Sequence, residues 1–216
     1  MFVEKWMTPN PLTVQPEATV SFVAMEMSRR KFRHFPIAEV TATGKKLVGI
    51  VSKYDIARAF PAHLNPFSIE VFEDSVPTPV STVMTRNVVT TAPNRGIEEA
   101  ARVLRTNRIG ALPVLRDNRL IGILTESDVF EAFINVTAAK SGGMRVLVES
   151  DIATSPIPTV LQLSRQYDVN ILSILSFHEN RLKSKDMSVF RFGSRLPAGF
   201  LLEVAKHGFR IVNVSE

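Results

Sequence analysis

The chain of 216 residues is largely written twice, and this internal repeat constrains its fold more than any other feature. At an offset of 77 residues, Met7-Thr8 matches Met84-Thr85 and Pro16 matches Pro93. Val20, Val23, Ala24 and Met27 match Ile97, Ala100, Ala101 and Leu104, and Pro36-Ile37 matches Pro113-Val114. The offset then falls to 73, where Gly49-Ile-Val-Ser-Lys-Tyr-Asp55 matches Gly122-Ile-Leu-Thr-Glu-Ser-Asp128. Self-similarity at a fixed spacing means that one supersecondary unit is used twice. The first copy therefore holds four extra residues between Pro36 and Gly49. The turn-rich run Val40-Thr-Ala-Thr-Gly-Lys-Lys46 places them in a hairpin loop, where added length costs little.

Each copy has the same internal order. A short extended start (Pro11 to Val14; Val88 to Thr91) gives way to proline, which ends strand pairing. The apolar residues that follow recur at i, i+3, i+4 and i+7, the spacing of one helix face. Glu98 and Glu99 stand in the first turn of the second helix, where carboxylates complement the helix dipole. Two strands come next, Pro36 to Val40 with Leu47 to Val51 and Pro113 to Leu115 with Leu120 to Leu124. A second short helix closes each copy, with Ile56, Ala57 and Phe60 or with Val129, Phe130 and Phe133. One copy cannot bury both faces of so small a sheet, so the two are expected to pack into a pseudo-symmetric module. The joining segment, Pro61 to Ser81, contains four prolines and acidic Glu70, Glu73 and Asp74; it reads as an ordered linker with one short helix around Phe67 to Phe72.

After Gly142-Gly143, read as a domain boundary, the pattern changes. Residues 144–149 read as a strand and 158–167 as a helix with Val160, Leu163 and Tyr167 on one face. Residues 170–177 and 187–192 read as strands around the polar turn Glu179 to Lys185. A helix over 198–207, stopped by Gly208, leads into a last strand from Phe209 to Val214. The order is βαββαβ, the ferredoxin-like split unit. The expected fold class is α/β (α+β), a pseudo-symmetric pair followed by a ferredoxin-like domain. The divisions are 1–62, first copy; 63–81, linker; 82–137, second copy; 138–143, Gly-Gly linker; and 144–216, third domain.

Composition narrows the chemistry. Hydrophobic residues make up 45% of the chain, enough for packed cores, and the absence of cysteine excludes disulfides and thiolate metal sites. No apolar run approaches membrane-spanning length, the first residues lack a signal-peptide pattern, and the lack of cysteine makes a reducing cytoplasm the expected compartment. The net charge of +5 raises anionic partners, nucleic acid among them. Basic residues gather at Arg29-Arg30-Lys31-Phe32-Arg33-His34, at Arg105, Arg108, Arg116 and Arg119, and at Arg181, Lys183 and Lys185, but no nucleic-acid motif accompanies them. His34, His63, His178 and His207 show no metal-ligand spacing, and phosphate loops and nucleophile elbows are absent. No catalytic or metal-binding residue is assigned and no enzymatic activity is expected.

The paired heptapeptides remain. Ser52-x-x-Asp55 and Thr125-x-x-Asp128 satisfy the helix-capping pattern, in which a hydroxyl and a carboxylate tie up orphan backbone amides. The same corner suits a ligand. A helix start offers free amides to a phosphate, and a carboxylate can accept both vicinal hydroxyls of a ribose.

The doubled pattern of helix, strand with proline (Phe35-Pro36; Leu112-Pro113) and Gly-h-h-Ser/Thr-x-x-Asp, where h is apolar, resembles a tandem pair of cystathionine β-synthase (CBS) domains, a Bateman module, over about residues 1–137. The resemblance implies a regulatory module that binds an adenine nucleotide (AMP, ADP or ATP) or S-adenosylmethionine in one or two clefts, with no obligatory cofactor. Ribose would fall to Asp55 with Ser52 and to Asp128 with Thr125. Asp55 would face Asn87 to Val89 and Gly110, Ala111 and Leu112 of the opposite copy, and Asp128 would face Asn10 to Thr13 and His34-Phe35. Arg33, His34 and Arg108 are the cations for a phosphate. The third domain resembles an ACT domain in element order, although its first loop has Asp151 and lacks a glycine, so a dimerising or docking role stands beside amino-acid binding. The order CBS, CBS, ACT resembles the acetoin-utilisation protein B family. A homodimer and a regulated protein partner are expected, without a membrane. A ligand-free oligomerisation scaffold and a nucleic-acid-binding regulator are the alternatives.

Overall fold

Both copies build one unit from a helix whose apolar stripe faces a hairpin. The structure, a computed structural model, describes residues 1–42, 44–60, 65–67, 77–178 and 185–216. The helix expected from Phe67 to Phe72 lies outside the described residues after Phe67, as do Arg181, Lys183 and the turn before Lys185. Helix α1 (Val20–Arg30) starts where the Thr19 side chain accepts the Phe22 amide, and it ends at Lys31 in the left-handed conformation. Helix α3 (Ile97–Asn107) ends the same way at Arg108, with φ of 55° against 58° at Lys31. A left-handed residue after a helix turns its amides back onto the last carbonyls. Val20, Val23, Ala24 and Met27 are buried on α1, and Ile97, Ala100 and Leu104 on α3, as the repeat spacing requires.

The hairpins are β2 (His34–Thr41) with β3 (Gly44–Ser52) and β4 (Ala111–Arg116) with β5 (Arg119–Thr125), both antiparallel. Each carries a bulge at the equivalent place, Ile37/Ala38 and Val114/Leu115. The four extra residues of the first copy do not sit in a loop, contrary to expectation. They extend the ladder: Val40 pairs with Lys45 and Thr41 with Gly44, just as Arg116 pairs with Arg119 in the shorter hairpin. Pairing satisfies backbone groups that a loop would leave to water, and the β-branched Val40 and Thr41 suit a strand.

The start of each copy does not pack on its own copy. β1 (Thr8–Pro9) pairs with β5, and the Val3 and Glu4 amides donate to the Arg95 and Pro93 carbonyls ahead of α3, so residues 3–9 pack on the second copy. Reciprocally, Ile50 and Thr85 exchange backbone hydrogen bonds, and the Val80 amide donates to Ala18. Val80 and Met84 complete the core that holds Val23, Met27, Phe35 and Ile56. This exchange explains the glycine that leads each heptapeptide. A side chain at Gly49 would collide with the Met84 thioether, and one at Gly122 with that of Met7.

The chain divides into two compact units, Met1–Phe130 and Glu131–Glu216. Helix α2 (Lys53–Ala59) closes the first copy, and α4 (Glu126–Val136) begins in the first unit and ends in the second. The second unit continues with β6 (Met144–Asp151), α5 (Ile157–Gln166), β7 (Ile171–His178), β8 (Lys185–Phe192), α6 (Phe200–Lys206) and β9 (Arg210–Ser215). Its strands run β7-β8-β6-β9, all antiparallel, with β8 inserted between the two strands that α5 connects. This is the split βαββαβ arrangement. Phe190, Phe192, Val146 and Val148 are packed under Val160 and Leu163 of α5 and Phe200 and Val204 of α6. Burying each such side chain contributes about 1.5–3 kcal/mol. Phe192 meets Phe200 edge to face at 5.4 Å.

Candidate functional site

Both heptapeptides form the capping corner with the same geometry. Asp55 Oδ2 accepts the Ser52 amide at 2.8 Å and the Ser52 hydroxyl at 2.7 Å, while the Asp55 amide donates to Ser52 Oγ at 3.3 Å. In the second copy Asp128 Oδ2 accepts the Thr125 amide and hydroxyl, both at 2.7 Å, and the Asp128 amide reaches Thr125 Oγ1 at 3.4 Å. Each carboxylate therefore spends one oxygen on its own helix. Oδ1 of each accepts no hydrogen bond among the described residues.

The Asp55 corner opens onto a cavity of about 420 Å³. Ser52, Tyr54, Asp55 and Ile50 line it from the first copy, and Thr85, Asn87, Val88, Val89 and Arg108 to Ala111 from the second half of the module. Of the residues expected to serve this ligand, Ser52, Asp55, Asn87, Val89, Arg108, Gly110 and Ala111 are thus gathered around one space. His34 also lines it. A Cβ on Gly110 would lie 2.8 Å from His34 Cε1, so glycine admits the imidazole there. Burial holds the His34 pKa below its ordinary value, helped by Arg33 and opposed by Glu126 and Asp55. A largely neutral imidazole serves a phosphate as a hydrogen-bond partner more than as a cation.

The other corner opens onto a smaller cavity, about 230 Å³, lined by Thr125, Ser127 and Ile123 with Thr8 paired beside Ile123, and by Pro11, Leu12, Lys31, Phe32, Arg33, His34 and Pro36. Arg33 reaches across the copies, donating from Nη2 to Ser127 Oγ at 3.0 Å. Asp128, Asn10 and Thr13 do not line this space. Asn10 is held in a left-handed conformation with its amide bound to the Ile121 carbonyl.

Lys31, Thr8, Thr85 and Tyr54 are cavity residues that sequence reasoning did not single out as site residues. The repeat itself carried the signal for three of them. Lys31 stands 77 residues before Arg108, and Thr8 stands 77 before Thr85, so each pair lines the two cavities from equivalent places. Among the described residues, no three His, Asp or Glu side chains converge to hold a metal ion. Nor is any helix long and apolar enough to cross a membrane. Much of the basic charge is internally paired: Arg29 and Arg30 with Glu26, Arg116 with Glu4, and Lys185 with Asp151.

Comparison with known proteins matches the family model of the CBS domain to residues 3–62 and 80–135. Among solved structures, an acetoin utilization protein (AcuB) from Vibrio cholerae is 32% identical with a TM-score of 0.53, covering 65% of this chain and 95% of that one. The CBS domain pair of protein MJ0100, in complex with 5'-methylthioadenosine and S-adenosyl-L-methionine, is 26% identical with a TM-score of 0.50, covering 62% of this chain and 95% of that one. CBSX2 in complex with AMP is 28% identical at the same TM-score and covers 62% of this chain and 96% of that one. Among curated sequences, an uncharacterized protein of Methanocaldococcus jannaschii is 31% identical over 131 residues, 57% of this chain and 46% of that protein. The chain thus spans less than half the length of that relative.

Proposed function

The chain belongs to the CBS-domain family, and from that premise we propose a regulatory protein that senses an adenine nucleotide or S-adenosylmethionine, chiefly in the Asp55 cleft. One observation carries the choice of cleft. Ser52 and Asp55 of one copy share a space of about 420 Å³ with Asn87, Val89 and Arg108 to Ala111 of the other. In this reading Asp55 Oδ1 accepts from the ribose hydroxyls while Oδ2 stays with the Ser52 cap. The backbone of Asn87 to Val89 and of Gly110-Ala111 faces the adenine, and Arg108 attracts a phosphate. The family neighbours in complex with AMP and with S-adenosyl-L-methionine support the ligand class.

A ligand that touches both copies favours whichever arrangement of them it binds more tightly, so its effect is a population shift. Helix α4 starts at the Thr125 corner and runs into the second unit, which gives the shift a covalent path to the ACT-like domain. The protein acts in the cytoplasm as a dimer on a partner protein and catalyses no reaction itself. Thermal unfolding with AMP, ADP, ATP and S-adenosylmethionine tests the reading. At about 100 times the dissociation constant the right compound stabilises the fold by roughly 2.7 kcal/mol. Stabilisation by none of the four would leave a ligand-free scaffold, and retention on DNA or RNA that weakens steeply with salt would favour a nucleic-acid regulator.

A further inference from the structure

The face of the β7-β8-β6-β9 sheet opposite α5 and α6 carries a second feature, independent of the clefts between the copies. Arg145 of β6 stands directly opposite Arg191 of β8. The row continues on either side with Ser215 of β9 and Ser173 of β7, so neither neighbour in this row is a carboxylate. Like charges placed opposite each other on neighbouring strands are destabilising. Both arginines are half-buried, and neither forms an ion pair with a described residue.

The same sheet shows what a compensated cation looks like. Towards its other end Glu149 lies between Lys185 and Arg210, at 3.9 Å and 3.7 Å, and Lys185 also reaches Asp151 at 2.7 Å. Carboxylates are thus supplied where two cations meet at one end of the strands and withheld at the other. The withheld end is a cavity. Arg145, Arg191 and Ser173 line a space of about 270 Å³ together with Leu175, Phe177, Val189 and, from the end of α4 and just beyond it, Phe133, Thr137 and Ala139. Its roof is fixed, because Ser173 Oγ donates to the Thr137 carbonyl at 2.9 Å.

We propose that this cavity binds a small organic monocarboxylate: the Arg145–Arg191 pair takes the carboxylate, and Leu175, Val189 and Phe133 take a compact apolar tail. A guanidinium fork matches a carboxylate with two parallel hydrogen bonds, and an anion held by both forks removes their mutual repulsion. The apolar wall separates this ligand from free phosphate, which would leave Leu175 and Val189 uncovered.

Calorimetric titration of the full chain with sodium benzoate, with benzamide and with inorganic phosphate, alongside amide spectra, tests the site. Benzoate is expected to bind saturably and to shift the amides of Thr137, Ser173 and Arg191, whereas benzamide and phosphate bind at least about tenfold more weakly. Arg191→Lys keeps the charge but loses the fork, and benzoate affinity should fall by at least about tenfold. Absent saturation with benzoate, equal affinity for benzamide or phosphate, or unchanged binding in Arg191→Lys would each overturn the proposal. Should that variant fail to fold, the benzoate and benzamide titrations of the unaltered chain decide the matter.

Discussion

The two heptapeptide corners agree to about 0.1 Å in every capping hydrogen bond, yet they open onto cavities of about 420 and 230 Å³. What they share is set locally, by a hydroxyl and a carboxylate three residues apart. What differs comes from the opposite copy. The Asp55 corner faces the small residues Gly110 and Ala111, whereas the Thr125 corner faces Arg33 and His34, their counterparts at the 77-residue offset. The smaller cleft is thus lined by two large side chains where the larger one has Gly110 and Ala111, and His34 borders both. A duplicated motif keeps its backbone chemistry through local rules, while its capacity for a ligand is decided by residues that each copy lends to the other.

The largest effect expected within this comparison lies in the exchanged starts. Met84 is buried and Met7 only half-buried, so Met84→Ala should cost about 2–5 kcal/mol in urea unfolding and Met7→Ala distinctly less. Equal costs would mean that the two exchanged segments pack alike. Gly49→Ala and Gly122→Ala should each destabilise by about 1–3 kcal/mol through overpacking against the opposite methionine. In a Met84→Ala background the Gly49→Ala penalty should largely disappear, and a penalty that persisted would remove the exchange as the reason for the glycine. Ser52→Ala and Thr125→Ala should each cost about 1 kcal/mol, the same for both, because the caps are alike. A difference as large as the effect itself would break the local equivalence of the corners.

The smallest effect concerns the histidine that lines both cavities. Burial lowers the His34 pKa from its ordinary 6.5, so the folded chain holds fewer protons there than the unfolded one. Its contribution to stability is therefore complete above about pH 6.5 and is lost as pH falls from there through the lowered folded value. His34→Gln should flatten stability against pH in that window; an unchanged slope would place the titration elsewhere.

Much of this architecture was legible in the sequence because local rules govern it. The spacing of Val20, Val23, Ala24 and Met27 marks a buried helix face, and the βαββαβ order of the second unit follows from apolar runs and Gly208. The exchange of residues 3–9 and 79–86 was not legible, since self-similarity says which residues are equivalent and not which copy they pack against. The lengthened first hairpin was missed for a related reason: Val40 to Lys46 is rich in turn residues, but cross-strand pairing overrode that local preference. At the site, the Asp55 cleft gathers its expected residues except Leu112, whereas Asp128, capped in the same way as Asp55, does not line the smaller cavity. The 77-residue offset already aligned Arg33 and His34 with Gly110 and Ala111, and this difference in side-chain size accompanies the difference in cavity volume.

Calorimetric titration with the stabilising adenylate, on the natural chain, Asp55→Ala and Asp128→Ala, tests the central claim most directly. The expected result is one principal site, at least about tenfold weaker in Asp55→Ala through loss of a charged hydrogen bond and little changed in Asp128→Ala. Two equal sites, or binding that survives Asp55→Ala and is lost in Asp128→Ala, would contradict it.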